Sequence, residues 1–442
     1  MNIIKKPLFA FLFGKLVILP LMILHATNPV NAATRALSFA QALSIADSVN
    51  PEIRNGLSRI RESQERKKQI ASNILPQVTA SASYGRLGTV PPGKKYLLGN
   101  SNNDVYVDVT VKQLLFAGGR YGNQISAAET LTVIEKQKLS QSRGNIRLAV
   151  ARAYLEAVKT RFSLGVQRDL VERTRAQAEI ADLLFRGGKT SNLDVVRLRT
   201  QLLIAGGQLS TLESQLKTRQ YQLAQTIGVT DTCSVTDSVL TDSLESLPVD
   251  MEHLISELKE TPEMKAAQAA HENALLNEKI AKADYYPTLS LNGGYNREEN
   301  SFFPGNPNWI IGTSISIPLY RGGGTGAQTA QAYERTLQAD NVISQTWVSL
   351  TTRLRTAIEL LKDKKDKISV ARQIVESAKE TSDIAELRYS TGKLSAFELI
   401  DAQNTYARAQ QDLFSTRVDY RIAIEEIAVI CPSILNAEET LK

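Results

Sequence analysis

The side chains that could carry covalent or metal chemistry are few and scattered. Beyond the first 32 residues the chain holds two histidines, His253 and His271, and two cysteines, Cys233 and Cys431. A zinc site needs three or four closely held ligands, and the sequence has no His/Cys cluster, so no metal and no cofactor is expected. Gly187-Gly188-Lys189-Thr190 has the ending of a phosphate-binding loop. Leu183 stands where that loop needs its first glycine, however, and the turn follows helical rather than strand-like sequence. Arg321 to Gly326 is glycine-rich, but it repeats the corner at Phe116 to Arg120 and reads as a structural turn. Convergent reactive groups are missing, so the sequence reads as a protein without enzymatic activity. A secreted hydrolase would need His, Asp or Ser clustered in the loops, and these loops lack them.

The elements available to position any site are four strands set into a great deal of helix. Val105, Val107, Val109 and Val111 alternate with Tyr106, Asp108, Thr110 and Lys112. Strict period two with one apolar and one polar face predicts a strand between two different solvents. Gln77 to Tyr84 repeats the pattern and completes a hairpin. A second pair lies at Thr288 to Tyr295, with Leu289 and Leu291 on the apolar face, and at Trp309 to Ile317, with Ile311, Ile315 and Ile317. Residues 85–104 and 296–308, rich in Gly, Pro and Asn, read as the hairpin loops.

The first 32 residues read as a secretory signal: Lys5 and Lys6 precede the apolar run Leu16 to Leu24, and Val30-Asn31-Ala32 offers a cleavage point. The alternative, a membrane anchor, is interrupted by Lys15 and Pro20 and is short for a spanning helix. Removal of the signal takes the formal charge from +6 to +3, which leaves no case for nucleic acid as a partner. No later window approaches a membrane helix, so a mature chain that enters a membrane must do so with strands. The exported address permits a disulfide between Cys233 and Cys431, both just beyond the ends of long helices.

Internal repetition organises the chain. Pro51-Glu52-Ile53-Arg54 recurs as Pro262-Glu263-Met264-Lys265, and in each copy a proline 25 residues on, Pro76 or Pro287, opens a strand. At an offset of 204, Phe116-Ala117-Gly118-Gly119 answers Tyr320-Arg321-Gly322-Gly323, Gly188-Lys189-Thr190-Ser191 answers Gly392-Lys393-Leu394-Ser395, and Asp194 answers Glu398. The same offset carries the heptad ladder Val195, Leu202, Leu209, Leu216, Leu223 onto Leu399, Tyr406, Leu413, Tyr420, Ile427. We therefore expect one mature unit, 33–442, of two repeats, 37–232 and 254–431, joined by a linker at 233–253. Each repeat reads helix, strand, strand, long helix, turn, helix. The proline-free stretch between Gly119 and Gly187 would extend roughly 100 Å as helix, and a seven-residue repeat at that length predicts coiled-coil packing. Gly144, Gly165 and Gly206-Gly207 are candidate bends, and Lys362 to Lys367 reads as a solvated face.

Four strands cannot close a barrel, which takes about eight, and open edges do not survive in lipid. Either the helices cover a small soluble sheet, as in a periplasmic coiled-coil scaffold, or several chains pool their strands. The helices are too long to fold back over so small a sheet, which favours pooling. The duplicated plan, the opening Asn50-Pro51-Glu52-Ile53-Arg54, the strand entry Ile74 to Gln77, the corner Leu115 to Arg120, and the run Arg388-Tyr389-Ser390-x-Gly392-x-x-Ser395-x-x-Glu398-Leu399-x-Asp401-Ala402-Gln403 together resemble the TolC-type outer membrane efflux proteins over nearly the whole mature chain.

That resemblance implies a mixed α/β membrane protein: a long coiled-coil helical barrel plus four strands per chain, pooled by a homotrimer into a 12-stranded outer-membrane β-barrel. It implies a passive exit duct in the outer membrane of a Gram-negative bacterium, extending into the periplasm. Its partners would be outer-membrane lipid, a periplasmic adaptor and an inner-membrane pump of a tripartite efflux or type I secretion system. The two turns become periplasmic tips that meet the adaptor, through Gly188, Lys189, Ser191, Gly392, Lys393 and Ser395. The family's acidic tip residues fall on Glu398 and Asp401, with Asp194 and Arg197 at the matching places of the first tip. Arg197 is placed to pair with Asp401 of a neighbouring tip as a gate. The family's constricting basic residue two positions after the glycine is here Leu394, with Lys393 one place early. The plainer reading of these acids is a solvated helix end whose charge favours the N-terminal dipole.

Overall fold

The computed structural model describes residues 35–86, 88–89, 103–236, 251–299 and 306–431. The expected signal, most of the two hairpin loops and residues 237–250 of the linker lie outside them. The first half comprises β1 (Arg35–Leu37), α1 (Phe39–Val49), α2 (Pro51–Ser72), β2 (Gln77–Arg86), β3 (Asn103–Ala117), α3 (Arg120–Arg186), α4 (Asn192–Ile227) and β4 (Cys233–Val235). The second half comprises α5 (Met251–Glu257), α6 (Pro262–Lys282), β5 (Thr288–Glu299), β6 (Asn306–Ser316), α7 (Gly324–Ser390) and α8 (Ala396–Ile430).

Equivalent sequence signals start equivalent helices. At α2 the Asn50 side chain accepts from the Glu52 N–H at 2.9 Å, and at α6 the Thr261 hydroxyl accepts from the Met264 N–H at 3.3 Å. In both cases a proline follows, where its missing N–H costs nothing. α3 and α7 each run 67 residues without a break, through Gly144 and Gly165 in α3, while α4 continues through Gly206 and Gly207. At 1.5 Å per residue the long helices extend about 100 Å. α3 packs along α4 and α7 along α8, while α3 also contacts α8, so the helices are ordered α4, α3, α8, α7. Every rung of the two heptad ladders is buried or half-buried in these seams.

The sheet has the order β2-β3-β5-β6, antiparallel throughout. Its register brings Ala80, Val109, Tyr295 and Trp309 into one row and Val78, Val111, Gly293 and Ile311 into the next. All of these lie on the apolar face. Ser81, Asp108, Asn296 and Asn308 share a row on the polar face, where Ser290, Ser314 and Asn292 are joined by hydrogen bonds. A bulge between Leu114 and Phe116 puts Phe116 opposite Leu289 and returns an apolar side chain to that face beyond Gln113. The helices do not cover that face: Val78 is 67% exposed and Ile311 69%.

Each half builds its own core where its short helices meet the middle of its long ones. Leu37, Ile53, Leu139, Val150, Tyr154, Leu223, Ile227, Cys233 and Val235 form the first. Leu254, Leu258, Met264, Leu354, Ile358, Ile424, Ile427 and Cys431 form the second. Two expectations are corrected here. Cys233 and Cys431 are not bridged, because each thiol is buried in the core of its own half, and the Cys431 sulfur donates to the Leu254 carbonyl at 3.5 Å. The count of four strands also falls short, because β1 and β4 pair in parallel as a separate two-stranded sheet. β4 occupies the start of the expected linker, and Thr236 beyond it donates to the Leu37 carbonyl. Lys362 to Lys367 is mostly exposed as expected, with Lys364 half-buried against Asp419 at 3.4 Å.

Candidate functional site

The two tips are built from the same local rules. α3 ends in Gly187-Gly188 and α7 in Thr391-Gly392, and Gly188 and Gly392 adopt φ of 69° and 74°, a left-handed conformation that glycine takes without strain. The Lys189 N–H then bonds back to the Leu184 carbonyl at 2.8 Å and the Lys393 N–H to the Arg388 carbonyl at 2.9 Å, which closes each helix. Ser191 and Ser395 cap the outgoing helices: their hydroxyls accept from the N–H groups of Asp194 at 3.3 Å and Glu398 at 3.4 Å.

The side-by-side packing of the tips rests on small residues. Ala178, Ala181, Val195, Leu198, Ala385, Tyr389, Ala396, Leu399 and Ala402 form one core shared by both halves. A Cβ on Gly392 would stand 3.8 Å from the Lys189 carbonyl oxygen, so the second turn sits against the first. Tyr389 is buried in this core; burial, and then the charge of Asp194, pushes its hydroxyl up to about 12.

The four gate residues fall into two pairs. Glu398 completes a capping box, its carboxylate accepting from the Ser395 N–H at 3.1 Å and the Ser395 hydroxyl at 2.7 Å, bonds that hold its carboxyl below the ordinary range. Asp194 accepts from the hydroxyls of Thr190 at 2.8 Å and Ser191 at 3.2 Å. Both acids thus serve their own turns. Asp401 and Arg197 instead are exposed one turn higher, and among the described residues they make no ion pair with each other inside the protomer.

The structure adds contacts that sequence reasoning missed. Arg199 clamps Asp182 across the first hairpin with two bonds of 2.9 Å, and Arg173 reaches Glu386 of α7 at 3.9 Å. A groove of about 690 Å³ between α7 and α8 runs down to Glu398 and Asp401, lined by Val370, Ile374, Ile384 and Phe397. The three- and four-residue spacing of Val370, Ile374, Ser377, Thr381 and Ile384 was the available signal for a second apolar seam on α7.

A two-faced sheet at one end of helices about 100 Å long, with paired tight turns at the other, defines the class: a tubular channel subunit of the cell envelope. No helix among the described residues is long and apolar enough to cross a membrane. The chain belongs to the outer membrane efflux protein family, whose signature spans residues 42–229 and 254–430. It is similar to outer membrane protein TolC of Vibrio cholerae serotype O1, 22% identical over 429 residues that cover 93% of this chain and 94% of that one. Its fold is similar to that of CusC, with a TM-score of 0.77, 18% identity and coverage of 90% and 93%. The Campylobacter jejuni CmeC outer membrane channel matches with a TM-score of 0.76, 16% identity and coverage of 89% and 85%. The chain is an outer-membrane efflux channel.

Proposed function

We propose that three copies of the chain pool their strands into a 12-stranded barrel and their helices into one periplasmic tube, a passive exit duct that receives substrate from an inner-membrane pump through a periplasmic adaptor. The observation that carries this reading is the exposed apolar face of a sheet whose edge strands, β2 and β6, have no further partner among the described residues of the protomer. Lipid tolerates neither open edges nor unpaired backbone, so β2 of one chain must meet β6 of another. The helical layer has the same need. Its edge helices α4 and α7 expose Leu193, Val196 and Leu203 on one side and Val370, Ile374 and Leu387 on the other, surfaces that a cyclic trimer buries head to tail.

In that trimer the tips alternate around the mouth. The turns at Gly188, Lys189, Ser191 and at Gly392, Lys393, Ser395 form its rim, where the adaptor docks. With Glu398 and Asp194 engaged in their caps, the exposed Asp401 and Arg197 are the pair free to meet between tips and hold the mouth closed. Three Glu398 and three Asp401 also form a ring of carboxylates that attracts cations. Fractionation tests the membrane-spanning barrel: the duct pellets with outer membrane and resists carbonate extraction, whereas release by carbonate would contradict it.

A further inference from the structure

We propose that the corner where strands give way to long helices is a binding site for an anionic phospholipid of the periplasmic leaflet, its phosphate held by Arg321 and Arg120. This rests on the duct reading, which sets that corner at the headgroup level. The two corners of a protomer are brought together by the short segment before β5. Asp284 in that segment contacts Arg120 of the first corner and stands 3.6 Å from the Arg321 guanidinium of the second. Tyr286 lies so close to Gly118 that a Cβ there would sit 2.6 Å from the Tyr286 Cβ, and the Tyr285 hydroxyl lies 3.5 Å from where a Cβ on Gly326 would be.

Two features of this corner point to lipid rather than water. The first is its apolar surface: Leu319 is 92% exposed and Tyr320 87%, with Leu75, Phe116, Tyr285, Tyr286 and Ile317 all exposed beside the same end of the sheet. Tyrosines with an apolar body and a polar tip gather at membrane interfaces. The second is charge. One carboxylate cannot neutralise two guanidiniums, and the first turns of α3 and α7 carry no further acid. The joined corners of a protomer therefore keep one surplus positive charge, centred on Arg321, whose side chain is 53% exposed. A guanidinium presents paired N–H donors to phosphate. The zwitterionic lipid carries its own cation, so the surplus charge selects an anionic headgroup such as phosphatidylglycerol.

Native mass spectrometry of the detergent-solubilised trimer, titrated with phosphatidylglycerol or phosphatidylcholine of matched chains, tests this. The expected result is tighter retention of phosphatidylglycerol. Arg321→Gln should weaken that retention about fivefold, and Asp284→Asn should strengthen it. Both variants should keep the trimer mass, so that loss of lipid preference is read apart from loss of assembly. Equal retention of the two lipids by the wild-type trimer, or an unchanged preference in Arg321→Gln, would overturn the site. Tighter binding of lipid A than of phosphatidylglycerol would overturn its assignment to the periplasmic leaflet. Absence of any trimer would overturn this proposal and the duct together.

Discussion

Tyr295 stands directly opposite Trp309 across β5 and β6, and both rings lie on the apolar face, half or more exposed in the protomer. The row continues through Val109 to Ala80. Arg297, next on that face of β5, is where it turns polar. Apolar side chains on this face, with Ser81, Asp108, Asn296 and Asn308 in a row on the other, are what lipid on one side and water on the other require.

The two faces of β3 should therefore respond oppositely to charge. Val109→Arg should cost about 2 to 4 kcal/mol near the bilayer midplane, while Thr110→Arg on the polar face should be nearly neutral. Urea unfolding of the protein refolded into vesicles measures the difference. Equal tolerance of both substitutions would place the apolar face outside a bilayer.

Tip stability should depend on pH through Glu398. Its hydrogen bonds to Ser395 lower its folded value below the ordinary 4.5. A lowered acid contributes stability that is present above its unfolded value and lost as pH falls through the folded one. Hydrogen exchange of the amides from Gly392 to Leu399 should thus accelerate below about pH 4.5, relative to amides elsewhere in α8. In Glu398→Gln that added acceleration should vanish; a wild-type tip that exchanges with the same pH profile as the variant would remove the cap from the account.

Much of the architecture was legible because strong local signals agree with the global fold. Period-two alternation marks the four membrane strands, glycine pairs mark the corners and tips, and the offset of 204 residues ties the halves together. What was not legible depends on distant partners. β1 and β4 are three residues each, too short to show alternation, and exist because Arg35–Leu37 finds Cys233–Val235 far along the chain. The Arg120, Asp284 and Arg321 cluster likewise joins segments that no spacing connects. At the tip, Ser395 and Glu398 have the three-residue spacing of a capping box, so the local duty of that acid was readable, whereas the packing of Tyr389 and Ala385 into a core with Leu399 was not.

The gate reading puts the weight on Asp401. An exposed pair with Arg197 of the neighbouring tip is worth about 0 to 1 kcal/mol, but three copies act on one mouth. Asp401→Asn should raise single-channel conductance in planar bilayers, and Glu398→Gln combined with Asp401→Asn should also weaken block by multivalent cations. Unchanged conductance and block in both would leave these acids as helix-end charges.

The two thiols should behave as separate core residues. Burial, and then the charge of Glu257, pushes the Cys431 thiol up to about 12, so the thiolate needed for alkylation is scarce in the native state. Iodoacetamide should label neither Cys233 nor Cys431 until the chain is denatured, and should then label both without reductant. Labelling that required reductant would restore the bridge.

The pooled barrel requires three chains in the assembly. Multi-angle light scattering of the detergent-solubilised protein, corrected for bound detergent, should give a mass of three mature chains, with circular dichroism showing the strands in place. A monodisperse monomer with full β content would contradict the pooled barrel and the duct built on it.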